Sequence, residues 1–214
     1  MLSPETVQQL VLVLVPLILS LTVHEYAHAA TARWLGDDTA SREGRYTLNP
    51  ASHIDPMGSL ILPAVLVVSG STFWFGWARP VPFNAVRFTR KIRMKHGVLL
   101  TAAAGPLSNL LLAAICAFAY GKLAHNEAAA ALLSTSVEIN VLLCVFNFLP
   151  VPPLDGSKVV WGLLPDHTIQ KLRFFEEQTW IAPTAFLAIF LFGGALIGPP
   201  IRTISQFLFK ALAT

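Results

Sequence analysis

Three long apolar runs alternate with shorter polar stretches along most of the chain. Residues 7–35 form the first run, long enough for a helix that crosses a hydrocarbon core of about 30 Å with some tilt. Residues 97–122 form a second, and residues 136–149 a shorter third that ends at the proline-rich break of residues 150–153. The pattern predicts an all-α membrane protein, a multi-span helical bundle whose core of three spans occupies about residues 7–165.

The C-terminal part repeats the pattern once more. A charged connector, residues 165–179, leads into an apolar run over residues 180–197, and a Gly-Pro-Pro sequence at residues 198–200 is expected to end it. We therefore expect additional C-terminal helices over about residues 180–213. The length of 214 residues suits a single membrane domain, residues 1–214, with no separate soluble module.

Two stretches between the first and second spans differ from the apolar runs. Residues 36–57 are polar, and residues 42–45 are typical of a turn between short strands, with residues 45–48 as the second strand of a β-hairpin. Residues 58–77 are apolar but short, and Pro63 interrupts them. They predict a hairpin that dips into the membrane and returns; a full crossing and a shallow pair of helices are the alternatives.

Composition and charge agree with this architecture. Hydrophobic residues make up 54% of the chain and charged residues 13%, against about 25% charged in soluble domains. The net charge is +3, but residues 79–96 hold six Lys or Arg and no acid, which places this loop on the cytoplasmic side. Such clustering argues against a nucleic-acid partner. Cys116 and Cys144 lie in apolar runs, so neither a disulfide framework nor a cysteine zinc site is expected.

The first span contains a His-Glu-x-x-His pentad, residues 24–28. On a helix, His24 and His28 share one face and can bind one metal ion, while Glu25 lies beside that ion as a general base for an attacking water. His24 precedes Arg33 by nine residues, which is about 13 Å of helix. Ionisable groups at such depth are each unfavourable by about 2.5–3.5 kcal/mol, so the pentad indicates a metal site and not a solvated face.

Asp155 follows the proline-rich break and is the candidate third ligand. An Asp before Gly is also common in ordinary turns. However, two imidazoles and one carboxylate form a standard catalytic zinc set, and irregular backbone at membrane depth is tolerated where it lines a polar cavity. If residues 58–77 dip and return, Asp155 reaches the same cytoplasmic-side leaflet as the pentad. A full crossing would put Asp155 in the opposite leaflet.

These motifs together resemble the site-2 protease family of intramembrane zinc metalloproteases. The matching residues are His24-Glu25-x-x-His28, Gly105-x-x-x-Asn109 and Asn147-x-x-Pro150 with Leu154-Asp155-Gly156. Residues 49–58 and 76–82 are similar to the compact bacterial and archaeal members, and no PDZ or CBS module is present.

The resemblance implies one Zn²⁺ per chain, held by His24, His28 and Asp155, with Glu25 as the catalytic base. It implies hydrolysis of peptide bonds within or near transmembrane segments of membrane proteins, as in regulated intramembrane proteolysis. The protein is then a multi-pass integral membrane protein of the cell membrane. Its partners are the lipid bilayer and a transmembrane protein or peptide substrate, and its active site lies in the cytoplasmic-side half.

Several weaker candidates accompany these residues. Asn147 is a candidate hydrogen-bond donor to the substrate or the developing oxyanion, with helix packing as the alternative. Asn109 is a candidate for the same hydrogen bond, but helix packing is its expected role. The resemblance places His53 over the mouth of the site as a possible gate or regulatory residue. The strand at residues 45–48 predicts an edge that holds an unwound substrate, with residues 79–82 as a second extended wall.

Two other function classes remain open from the residues alone. One is a non-proteolytic membrane protein that binds or transports zinc, and the other is a structural interaction protein with a relict site. Glu25 argues against the first, because transport does not require a base beside the two imidazoles. The intact ligand set argues against the second.

Overall fold

The computed structural model describes residues 3–71, 75–89, 92–165, 167–168 and 181–213. Helices dominate them. In chain order they are α1 (Pro4–Leu35), α2 (Thr39–Arg42), α3 (Leu62–Val68), α4 (Met94–Leu123), α5 (Glu127–Asn147), α6 (Asp155–Leu163) and α7 (Ile181–Leu212). A π-helical segment, Pro56–Ile61, leads into α3, and 3-10 turns cover Pro50–Ser52 and Ala85–Arg87.

Three of these helices, α1, α4 and α5, are long and apolar enough to cross a membrane. This confirms the helical membrane class. The start of α5 differs from the prediction of residue 136, because the helix begins at Glu127. The Asn126 side chain caps it by accepting a hydrogen bond from the Ala129 amide at 3.0 Å. Residues 127–135 are rich in Ala and Leu, which favour helix, so the linker after α4 shrinks to three residues, 124–126.

The helices pack around α4, which contacts α1, α5, α6 and α7. Small residues permit close approach at the centre, where Ala113 and Ala117 of α4 meet Val137 and Val141 of α5 and Leu208 of α7. A second apolar cluster joins α1 and α5 to the α3 region; it consists of Val13, Leu17, Leu21, Val67, Ala78, Ile139 and Leu143. Both clusters include residues of α5, so this helix joins α1 on one side to α4 and α7 on the other.

The predicted β-hairpin over residues 42–48 is wrong: the described residues of this segment form no strand. Instead, Asp37 accepts hydrogen bonds from the amide and the hydroxyl of Thr39, the first residue of the short helix α2. Arg45 is only 6% exposed, and its guanidinium donates to the carbonyls of Arg79 and Pro80. This long-range contact directs the chain inward, so the predicted sheet edge for a substrate is absent.

Residues 58–77 fold back on themselves, apart from residues 72–74, which lie outside the described part. The Trp77 amide donates to the Gly58 carbonyl at 3.2 Å, and the Arg79 amide donates to the His53 carbonyl at 2.8 Å. The segment therefore leaves and returns to the same end of the bundle, as a hairpin does. Its dip into a membrane remains a prediction.

The C-terminal helix α7 runs through the Gly-Pro-Pro sequence that was expected to end it. Proline's fixed φ is compatible with helix, so the helix continues, although Pro199 and Pro200 have no N–H to donate to the carbonyls of residues 195 and 196. The predicted charged connector at residues 165–179 lies almost entirely outside the described residues.

Candidate metal centre

Three buried side chains converge in the core of the bundle. His24 and His28 come from α1, and Asp155 stands in the first turn of α6. The two Nε2 atoms lie 3.0 Å apart, and the Asp155 Oδ2 lies 3.2 Å from each of them. We call these three residues the His–His–Asp cluster. The structure thus brings together side chains that are 131 positions apart in the sequence.

The geometry of this cluster suits a tetrahedral metal ion. Bonds of about 2.0–2.1 Å from Zn²⁺ to nitrogen and oxygen place neighbouring ligand atoms about 3.3–3.4 Å apart. The observed separations of 3.0 to 3.2 Å are close to that value.

The tautomers of the two imidazoles also fit a metal. The His28 Nδ1 lies 2.7 Å from the Thr101 carbonyl oxygen, which only accepts hydrogen bonds, so this nitrogen carries the proton. The His24 Nδ1 likewise donates to the Asn109 Oδ1 at 2.7 Å. Both Nε2 atoms then present lone pairs toward the Asp155 carboxylate. Three acceptors facing one another call for a cation between them, and this donor set matches zinc.

Asn109 holds His24 in place. Its Nδ2 donates to the Ser20 carbonyl at 3.1 Å and to the Asn140 Oδ1 at 3.0 Å, and its side chain is fully buried. These bonds fix the amide so that its oxygen faces His24. Asn109 does not line the cavity described below, so its position favours orienting a ligand over the predicted contact with the substrate.

Two glycines of the sequence motifs permit close backbone approach. A Cβ at Gly105 of α4 would lie 2.4 Å from the His28 Nε2 and 2.6 Å from the His24 Nε2. A Cβ at Gly156 would lie 2.3 Å from the Phe148 carbonyl oxygen. Any side chain at Gly105 would therefore fill the space against both imidazoles, and one at Gly156 would displace the turn that carries Asp155.

Glu25 is oriented by an irregular segment and not by another helix. Its Oε2 accepts a hydrogen bond from the Val81 amide at 2.8 Å, and the side chain is 9% exposed. Arg45 in turn holds the two carbonyls that precede Val81. Residues 79–81 thus border the site, and the use of residues 79–82 as an extended wall for a substrate remains a prediction. Sequence reasoning missed the roles of Val81, Arg45 and Thr101, because backbone groups and a lone loop arginine carry no motif.

A cavity of about 750 Å³ opens beside the cluster. Glu25 and the three cluster residues line it, together with Asn147 and Lys158. Lys158 Nζ lies 3.7 Å from the Asp155 Oδ1, the oxygen that does not face the imidazoles. This volume is large enough to admit an extended peptide segment next to Glu25 and the cluster.

The two remaining candidates occupy different surroundings. Asn147 faces the cavity and donates from Nδ2 to the Leu143 carbonyl at 2.9 Å, and its predicted contact with a substrate remains a prediction. His53 is 1% exposed, and its Nε2 donates to the Thr47 carbonyl at 2.8 Å. It lines neither the cavity nor the cluster, so a gating role for His53 also remains a prediction.

Comparison with known proteins bears on this site. Residues 56–192 match Peptidase family M50, a stretch that includes Asp155 but begins after the pentad. Over 186 residues the chain is 41% identical to YwhC of Bacillus subtilis, a candidate zinc metalloprotease; the alignment covers 83% of this chain and 78% of YwhC.

More distant relatives carry the same description. Rip2 of Mycobacterium tuberculosis strain Erdman is 32% identical over 199 residues, which cover 86% of this chain and 74% of Rip2. Rip2 of Mycolicibacterium smegmatis is 31% identical over 160 residues, 73% of this chain and 57% of that protein. Both are named as candidate zinc metalloproteases. No solved structure matches the chain.

Proposed function

The chain belongs to Peptidase family M50, the site-2 protease family, and we propose that this zinc metalloprotease hydrolyses peptide bonds within or near transmembrane segments of membrane proteins. One observation carries the proposal. The His–His–Asp cluster is buried on α1, a helix apolar and long enough to cross a membrane, and it adjoins a cavity of about 750 Å³. Regulated intramembrane proteolysis is the process that such a site would serve.

The chain's own residues supply the remaining chemistry. Zn²⁺, when bound by His24, His28 and Asp155, provides the Lewis acid that polarises water and the scissile carbonyl. Glu25 accepts the proton of the attacking water and returns it to the leaving nitrogen, and the Val81 amide keeps its carboxylate in position. We also propose that Asn147, which lines the same cavity, donates to the substrate carbonyl as negative charge develops there.

We further propose a multi-pass topology in the cell membrane with the site in the cytoplasmic-side half. His24 lies eleven residues before the end of α1, or about 17 Å along the helix. The basic loop at residues 79–96 favours a cytoplasmic position for that end. The hairpin at residues 58–77 returns to the end from which it left, which agrees with this arrangement. Topology mapping that placed residues 88–95 outside the cell would contradict it.

The decisive experiment compares the purified wild-type protein with Glu25→Gln on a panel of transmembrane peptides, with zinc content measured for each. Glu25→Gln is expected to keep one zinc per chain and to lose cleavage by about 10²–10⁴-fold, since only the base is removed. Glu43→Gln, at an exposed glutamate outside the site, is the matched control and is expected to behave as wild type.

Two results would overturn the proposal. Full cleavage by Glu25→Gln would show that the assigned base is wrong. Zinc binding without cleavage of any peptide by the wild type, together with zinc flux into vesicles, would favour the alternative of a non-proteolytic zinc-binding or transport protein.

A further inference from the structure

A second cavity, of about 480 Å³, lies between α5 and α7. We call it the α5–α7 cavity. Four polar side chains line it: Glu138 of α5 and Arg202, Ser205 and Gln206 of α7. None of them takes part in the proposed chemistry. Helices of this apolarity rarely carry such groups without a function.

The two charged groups of this cavity, Glu138 and Arg202, lie about halfway along the length of the bundle. Glu138 follows the start of α5 by eleven residues, about 17 Å along a helix about 32 Å long. Arg202 precedes the end of α7 by ten residues, about 15 Å. That end is level with the end of α4, since a Cβ at Gly121 would lie 2.7 Å from the Ala213 Cα. Glu138 and Arg202 are therefore at similar depth.

The Ser205 hydroxyl is a buried hydrogen-bonding group in the wall of this cavity. Its side chain is 8% exposed, and its Oγ has no hydrogen-bond partner among the described residues. Serines on α5 use a carbonyl of their own helix instead, as Ser136 does with the Leu132 carbonyl at 2.7 Å. The free Ser205 hydroxyl points to a ligand with a hydrogen-bonding group.

The backbone of α7 adds acceptors close by. Because Pro199 and Pro200 lack an N–H, the carbonyls of residues 195 and 196 have no donor four residues ahead. Such carbonyls need other partners at membrane depth. Residues 195 and 196 directly precede Ile197, which lines the cavity.

The α5–α7 cavity also adjoins the active-site cavity. Leu142 lines the first, and Phe146, one helical turn further along α5, lines the second. Phe146 packs with Ile197 and with Phe75, whose ring centroid is 5.5 Å from its own. This apolar cluster is the partition between the two cavities. A chain lying along α5 would run from Glu138 past the partition to Asn147 and the His–His–Asp cluster.

We propose that the α5–α7 cavity binds the transmembrane segment of the substrate and selects segments with an amide or hydroxyl side chain near mid-membrane. The inference rests on the proposed function of the metal site. Glu138 accepts and Arg202 donates hydrogen bonds, so an amide satisfies both. An apolar side chain offers neither of these two groups a hydrogen bond, and a charged one would be repelled by one of them. A phospholipid headgroup fits less well, because it lies at the interface, about 15 Å from this depth.

Filling the cavity tests the proposal. Among the described residues, a Cβ at Gly198 would meet only the Arg202 Nη2, at 3.5 Å, so Gly198→Leu fits while occupying the space. Thr203→Leu adds similar bulk at an exposed position of α7 outside the cavity and is the matched control. Three peptides share one scissile sequence: a transmembrane peptide with a central Asn, the same peptide with Leu there, and a short water-soluble peptide.

Wild-type protein and Thr203→Leu are expected to prefer the Asn peptide in kcat/KM by about 10- to 100-fold, the effect of one hydrogen bond to a charged group. Gly198→Leu and Glu138→Leu are expected to abolish this preference and to cleave the short peptide at the wild-type rate. Anisotropy of a labelled Asn peptide, measured on proteins that also carry Glu25→Gln, should show binding weakened by a similar factor.

The outcomes are separable. An unchanged preference in both Gly198→Leu and Glu138→Leu would overturn the proposal. An effect that is equal for both transmembrane peptides and varies with phosphatidylethanolamine content would overturn it in favour of a lipid site. If wild-type protein cleaves none of the three peptides, the proposed function fails, while loss of Asn-peptide binding in Gly198→Leu would still support the cavity as a binding site.

Discussion

The His–His–Asp cluster and the α5–α7 cavity both carry polar groups on apolar helices, but they differ in burial and in how those groups are partnered: the cluster is buried, whereas Glu138 and Arg202 of the cavity are exposed. At the cluster, the second nitrogen of each imidazole has a fixed acceptor at 2.7 Å, and Glu25 has a fixed donor. At the α5–α7 cavity, the Ser205 hydroxyl has no hydrogen-bond partner within the described residues, and the Glu138 and Arg202 side chains are exposed.

The difference separates two uses of polarity in a membrane. Groups that are held by the protein itself are pre-organised, so they need little rearrangement when charge develops during a reaction. Groups left open in a cavity gain their partners only when a ligand arrives, which makes them suited to selection. The packing around each region follows the same division, with tight backbone contact at Gly105 and open space at Gly194.

The largest expected difference between the two regions is in their response to one added methyl group. Gly105→Ala places a Cβ 2.4 Å from the His28 Nε2, so we expect loss of zinc and of all cleavage. Gly194→Ala meets no atom of the described part of the chain within 4 Å, so zinc content and cleavage of the short peptide should not change. Zinc stoichiometry by elemental analysis of both purified variants measures the contrast. Retention of zinc by Gly105→Ala would break the comparison at the cluster.

A smaller effect is expected where a fixed partner of the cluster is removed. Asn109→Ala deletes the acceptor of the His24 Nδ1 proton and should weaken zinc binding by about 10- to 100-fold. Asn147→Ala removes the same side chain from the cavity wall, where it contacts no cluster residue in the structure, and should leave zinc affinity unchanged. Competition with a chelator measures both affinities. Equal zinc affinities in the two variants would contradict the conclusion that Asn109 orients a zinc ligand while Asn147 does not.

The smallest effect concerns two buried serines. Ser205→Ala removes a hydroxyl that has no partner among the residues the structure describes, and it should leave the thermal unfolding temperature of the protein in detergent unchanged or slightly raised. Ser157→Ala removes a hydroxyl that donates to the Leu154 carbonyl at 2.7 Å and should destabilise by about 1 kcal/mol. A larger loss in Ser205→Ala than in Ser157→Ala would show that the Ser205 hydroxyl has a structural partner after all.

Local patterns predicted much of the fold and most of the candidate site. The apolar runs gave α1, α4 and α5, because length and hydropathy are properties of the segment itself. The start of α5 was predicted nine residues late. The stretch before residue 136 was assigned to a linker because it is short and nearly uncharged, but its Ala and Leu content favours helix. The strand at residues 45–48 failed because Arg45 finds its acceptors 34 and 35 residues away, which no local pattern contains.

What the sequence determined by itself follows from fixed helical spacing. Four residues separate His24 from His28 and Gly105 from Asn109, so each pair faces one way whatever the rest of the chain does. Only the tertiary structure decided which groups meet. It brought Asp155 to the imidazoles, put the Thr101 carbonyl and the Val81 amide behind His28 and Glu25, and left Glu138 and Arg202 facing an open space. The positions of backbone donors and cavities depend on how the helices cross. The crossing of two helices is set by side chains that are far apart in the sequence, so no local pattern contains it.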